Sequence, residues 1–214
     1  MARKLRHTRG FTLLEMMISI TVLASVMGML YTLALSLGEA ARMQEVKVST
    51  QDEARVAAMG IIRELRQARG SSINWNQLPG TSLTYQIAID ADGNGYAVDV
   101  NGDIELSTVR TLSRDVNDMN QDGETNTQLV ITQTTNGVTT TRVLANDLLV
   151  DEDTNNSGGL DAGEDLNNNG VLDRGIWFQQ VGSAVQLTVQ AQRLSSVRGH
   201  RVHSSLTELV APRN

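Results

Sequence analysis

Seven carboxylates lie between residues 151 and 173 with no basic residue among them: Asp151, Glu152, Asp153, Asp161, Glu164, Asp165 and Asp173. Such a run repels itself unless a cation or solvent compensates it. The spacing favours a cation. In the twelve residues from Asp153 to Glu164, oxygen-bearing side chains stand at positions 1, 3, 5, 9 and 12 as Asp153, Asn155, Ser157, Asp161 and Glu164. Gly158 fills position 6, and Gly159 at position 7 offers its backbone carbonyl. Calcium takes about six to eight oxygens, needs a glycine for the tight turn, and closes on a glutamate that can bind through both oxygens. The next residues repeat the opening as Asp165, Asn167, Asn169, Gly170 and Asp173, but Ile176 stands where the closing carboxylate would fall. The sequence therefore predicts calcium over 151–173.

The tandem form resembles dockerin or thrombospondin-type calcium repeats more than an EF-hand, because long flanking helices are not apparent. Two further stretches carry weaker versions. Asp118, Asn120, Asp122 and Gly123 fit a loop opening with Leu129 at position 12, and Asp90, Asp92, Asn94 and Gly95 fit another with Asn101 last. Asp and Asn also favour turns by bonding their own backbone, and that reading stays open for all three stretches.

Other chemistry is hard to find. No Ser-His-Asp or Cys-His constellation stands out, no glycine-lysine phosphate loop is present, and the chain has no cysteine. The expectation is a non-enzymatic protein without disulfides. His200 and His203, beside Arg193, Arg198 and Arg201, read as a solvated basic turn rather than a metal pair, since strand residues three apart face opposite sides. Trp75 and Trp177 read as core or loop anchors. The formal net charge of −6 argues against nucleic acid, which needs basic patches.

The second constellation is at the amino terminus. Arg3, Lys4, Arg6 and Arg9 precede an apolar run from Phe11 to Leu37 whose only charge is Glu15. As a helix rising about 1.5 Å per residue, that run extends roughly 40 Å, enough to cross a bilayer core with some tilt. The basic flank should stay cytoplasmic and send the rest outward. Acids inside membrane helices are costly, rare and usually functional. A chain cut after Gly10 would carry an amine on Phe11, and such an amine on one subunit could neutralise Glu15 on a neighbour. Two plainer readings are a secretory signal, whose apolar core should be shorter, and a simple anchor with Glu15 reaching the headgroups.

Gly10-Phe11-Thr12-Leu13-Leu14-Glu15-Met16 after a short basic leader resembles the processing site of type IV prepilins and of type II secretion pseudopilins. The resemblance covers about the first forty residues; beyond them it is architectural, with a weaker likeness to J-type minor pseudopilins and W-type minor pilins. It implies cleavage between Gly10 and Phe11 by a prepilin peptidase, N-methylation of Phe11, and contact of Glu15 with the amino terminus of an adjacent subunit. It further implies a minor pseudopilin of the bacterial inner membrane with its domain in the periplasm. The implied partners are other pseudopilins or pilins, met through helix packing, and an inner-membrane assembly platform. A minor pilin of a type IV pilus and a membrane-tethered calcium-dependent binding module are the alternatives.

The elements that must hold these residues follow from periodicity. After a leader over 1–10, residues 11 to about 69 contain no proline and few glycines, Gly28 and Gly38 among them. That is one long helix, membrane-spanning over 11–38 and amphipathic over 39–70, with Val56, Met59, Ile61, Ile62 and Leu65 as the stripe expected to dock on a sheet. Gly70-Ser71-Ser72 is a stop signal. Strands are expected over 82–89, 104–112, 128–134, 138–144, 176–180, 185–192 and 203–210, with Asn136-Gly137 as a hairpin turn. The fold class is α+β: a long helix packed on an antiparallel sheet domain, 71–214, with acidic Asp/Asn/Gly loops.

Overall fold

The structure is a computed structural model and describes residues 12–123, 125–155, 157–166, 170–195 and 201–213. One long helix, α1, runs Leu13–Gln67. Among the described residues seven strands follow: β1 Leu83–Tyr85, β2 Arg110–Arg114, β3 Leu129–Thr135, β4 Val138–Ala145, β5 Ile176–Val181, β6 Ala184–Leu194 and β7 Arg201–Val210. The chain divides into two compact units, residues 1–44 and 45–214.

The first unit is helical from Leu13 onward, and its side chains are exposed from Thr12 through Arg42. The helix begins on a capping box. The Glu15 carboxylate accepts the Thr12 backbone N–H at 3.1 Å, and the Glu15 N–H donates to the Thr12 hydroxyl at 3.2 Å. Thr-x-x-Glu satisfies two otherwise orphaned amides in this way. The helix is long and apolar enough to cross a membrane, with a mean hydropathy of 2.0 over its most apolar window.

The second unit packs the remaining turns of α1 on two antiparallel sheets rather than one. β1-β2-β3-β4 form the first in sequence order, and β5-β6-β7 the second. Isolated bridges link Gly80 with Phe178 and Leu148 with Ala191, tying the chain before β1 and after β4 to the second sheet. The hairpin at Asn136-Gly137 is as expected: both residues have positive φ, 52° and 79°, which the tight turn joining β3 to β4 requires. The strand expected over 104–112 is shorter and displaced. Ile104 and Leu106 make only single bridges, and regular pairing starts at Arg110.

The docked face of α1 differs from the expected stripe. Ala54, Ala57, Ala58, Ile61 and Leu65 are buried, with Ala68 buried just past the helix end, whereas Val56 and Met59 are about half exposed. Small alanines let the helix axis approach the sheets closely, so the contact is made by Ile61 and Leu65 among alanines, against Leu83, Leu112, Leu129, Phe178, Leu187 and Val189. Gly60 lies beside the Leu144 side chain of β4 with room for a methyl group: a Cβ placed there would stand 3.8 Å away, in ordinary van der Waals contact. Burying side chains such as Ile61 and Leu65 is worth about 1.5–3 kcal/mol each. One acid shares this face. Glu64 accepts from the Tyr85 hydroxyl and Arg110, both at 3.1 Å, and from Arg142 at 2.5 Å. Burial and the Glu64 carboxylate together hold the Tyr85 hydroxyl well above its usual range.

Candidate functional site

Three acidic loops leave the sheets. The longest joins β4 to β5. Its neck is a buried acid: Glu152, 2% exposed, accepts the backbone N–H of Leu166 at 3.0 Å and of Asp173 at 3.1 Å. Within the loop the expected ligands converge on one another. Glu164 accepts the Thr154 hydroxyl and the Asn155 and Asp161 backbone N–H groups, and Asn155 donates its side-chain amide to Asp161 at 2.9 Å. Asn155 and Ser157 hold the Asp161 carboxyl below its usual range. Ser157 donates to the carbonyl of Gly159 at 3.2 Å, Asp165 accepts from Gly170 at 2.9 Å, and Asp173 accepts the Gln190 side-chain amide at 3.2 Å. Asn167 and Asn169 lie outside the described residues.

Sequence reasoning missed a cation one residue past this acid run. Arg174 donates to Asp153 at 3.0 Å, and its guanidinium lies 3.6 Å from the centre of the Trp177 ring. Asp153 stands at position 1 of the expected calcium loop, so calcium there has to displace an ion pair. The twelve-residue window ended at Glu164, and nothing in its spacing pointed to residue 174. A second guanidinium, Arg114 of β2, is buried at the loop's base. It donates to the carbonyls of Asn126 and Leu149 and stands 3.8 Å from Asp151. Burial nonetheless pushes the Asp151 carboxyl up.

The loop between β2 and β3 has the same composition and a different arrangement. Asp115 is fully buried at its neck, where its N–H donates to the Gln128 carbonyl at 3.1 Å and its carbonyl accepts from Asn126 at 2.9 Å. Asp118 accepts the backbone N–H groups of Asp122 and Gly123. Asn120 donates to Asp122 at 2.8 Å and to Gln128 at 3.3 Å. Two buried acceptors, Asp115 Oδ2 and Asn120 Oδ1, find no hydrogen-bond partner among the described residues.

The third loop follows β1. Asp90 accepts the backbone N–H groups of Gly93, Asn94 and Gly95, which hold it below its usual range, the Gly95 bond contributing most. Asp90, Asp92 and Glu105 bring ligand oxygens within 4.8 Å of one another. Glu105 joins this group from beyond the stretch singled out in sequence. Asp90 and Asp92 are exposed and Glu105 is half-buried, and backbone amides account for Asp90 without an ion.

The basic turn near β7 is partly described. His203 is exposed on β7, and His200 lies outside the described residues. Arg193 bonds Ser49 on α1 and pairs with Asp147 at 3.6 Å. Trp75 anchors its own turn by donating to the Gly70 carbonyl at 3.1 Å.

At the amino terminus, Gly10 and Phe11 lie outside the described residues, and Glu15 is exposed on the first turn of α1. Residues 5–31 match the family described as "Prokaryotic N-terminal methylation motif". The chain carries that motif. No curated protein and no solved structure matches the chain at a significant level. The methylation motif takes in Arg6, Arg9, Gly10, Phe11, Glu15 and the apolar residues after them, and it supports the pilin-like reading of this end. With the long apolar helix that continues it, the motif fits a single-pass membrane protein.

Proposed function

We propose that this chain is a minor pseudopilin of a type II protein secretion system, cut between Gly10 and Phe11 by a prepilin peptidase and methylated on Phe11. The observation that supports the reading best is the methylation motif over 5–31 running directly into a 55-residue helix whose apolar first half is exposed on all sides. A helix apolar all round needs lipid or other helices as its surroundings. In the membrane the partners are the bilayer and the assembly platform; in a filament they are the helices of other subunits. Glu15 caps its own helix within one chain and becomes the counter-ion of a neighbour's amino terminus on assembly. The domain of 45–214 stands in the periplasm as the contact surface for other minor subunits or secreted proteins. Calcium at 153–164 enters by drawing Asp153 away from Arg174.

The test is the protein profile of the medium from a strain lacking this gene. Enzymes retained in the periplasm and missing from the medium support a secretion pseudopilus. An unchanged medium with lost surface filaments makes the chain a minor pilin. No change in either, together with full activity of a Glu15→Ala variant, makes it a tethered binding module.

A further inference from the structure

We propose that the loop between β2 and β3 holds one calcium ion, bound by Asp115 Oδ2 and Asn120 Oδ1. The inference goes beyond the filament role and holds whichever assembly the chain joins.

Asp115 carries the argument. It is 0% exposed, so water does not compensate its charge. Its nearest basic neighbour in sequence, Arg114, directs its terminal nitrogens to the carbonyls of Asn126 and Leu149 and towards Asp151, and its Nε–H finds no acceptor among the described residues. One carboxylate oxygen, Oδ1, accepts the Met119 backbone N–H at 2.8 Å, which aims the group into the loop. The other, Oδ2, has no partner among the described residues. Buried carboxylates without hydrogen bonds or a cation are strongly disfavoured, and each such group calls for an explanation such as an ion.

A second orphan acceptor sits in the same loop. Both amide hydrogens of Asn120 are directed, one to Asp122 and one to Gln128, so its orientation is set by two acceptors and its carbonyl oxygen is left over. Turning the amide over would place oxygen against oxygen. The leftover group is therefore an acceptor, and what it lacks is a donor or a cation. Gln128 and Asn120 both feed hydrogens to Asp122 Oδ2, fixing that carboxylate at the loop's edge.

The donor set selects the ion. Carboxylate and amide oxygens without imidazole or thiolate suit a hard cation. The Asp118–Gly123 turn is irregular, with positive φ at Asp118, Gln121 and Gly123, and such a loop suits the variable coordination of calcium better than the strict octahedron of magnesium.

The experiment uses the full chain in detergent micelles. Equilibrium dialysis with radioactive calcium counts ions per chain, and melting is followed in calcium at about 1 mM, the range of extracellular modules, and in chelator. Asp115→Asn should bind one ion fewer than the unaltered chain, lose the calcium-dependent rise in melting temperature contributed by this loop, and melt no lower in chelator, because the bare charge is gone. Asn120→Asp should do the reverse, melting lower in chelator and recovering in calcium. Asp153→Asn in the longer loop should keep the ion that Asp115→Asn loses. The proposal is overturned if Asp115→Asn binds as many ions as the unaltered chain, if Asp153→Asn loses the same ion, or if magnesium at equal concentration raises the melting temperature as much as calcium.

Discussion

The β2–β3 and β4–β5 loops are built from the same residues and solve their charge problem differently. In the longer loop the buried acids are answered from within the chain. Glu152 takes two backbone amides, and Asp153 takes Arg174. In the shorter loop the Asp115 carboxylate accepts one amide, its other oxygen has no hydrogen-bond partner among the described residues, and the terminal nitrogens of Arg114 go to other acceptors. Ligand spacing and uncompensated charge therefore point to different loops. The longer loop shows the fuller ligand spacing, yet its first ligand is already paired. The shorter loop lacks a closing carboxylate, yet its buried acceptors are unanswered. A cation site depends on which charges remain uncompensated after folding, and one arginine beyond the acid run changes that count.

The largest effect should come from Arg174→Ala. Breaking a largely buried ion pair by removing one partner leaves a charge behind, and a loss of about 3 kcal/mol is expected in calcium-free urea melts. Part of that loss should return in calcium, because Asp153 is then free to bind it; a variant that stays equally unstable with and without calcium would break the contrast between the loops. Next is Glu152→Gln. Weakening two charge-assisted bonds to Leu166 and Asp173 should cost about 2 kcal/mol. Hydrogen exchange should quicken in the longer loop while the amides of Met119 and Asn126 keep their protection.

Smaller effects come from the backbone. Gly123 and Gly163, one in each loop, have φ of 86° and 92°. Alanine at either should cost about 1 kcal/mol, since L-residues resist left-handed conformations. If the shorter loop is organised by calcium, the Gly123→Ala cost should shrink in chelator, while the Gly163→Ala cost stays constant.

The smallest effect is on pH dependence. Asp151 lies above its ordinary pKa because burial disfavours its charge. Its folded form binds the proton more tightly than its unfolded form, so the group adds stability as pH falls through the raised value towards about 4. Asp161 has the opposite sign, with stability present above the unfolded pKa and lost as pH falls through its depressed one. Melts at stepped pH should show the first trend vanish in Asp151→Asn and the second persist.

Much of this molecule was legible because it is local. The methylation motif, the apolar run, the long helix, the Asn136-Gly137 turn and most strands depend on residues close in sequence. The capping box is equally local, since Thr12-Leu13-Leu14-Glu15 carries it in four residues. The docking face was misread for another reason. Hydrophobic weight favours Val56 and Met59 over alanine, whereas close approach to a sheet favours the smaller side chain.

By itself the sequence determined the amino-terminal motif, the α+β class and the existence of acidic loops, because spacing along one chain sets helix faces, strand alternation and turn geometry. Tertiary structure decided the rest: two sheets instead of one, Glu64 between Tyr85, Arg110 and Arg142, Arg174 on Asp153, and one buried Asp115 oxygen without a hydrogen-bond partner among the described residues. Each of these joins residues about 20 to 80 positions apart or depends on burial, and a carboxylate's need for a partner is set by the water that folding removes from it.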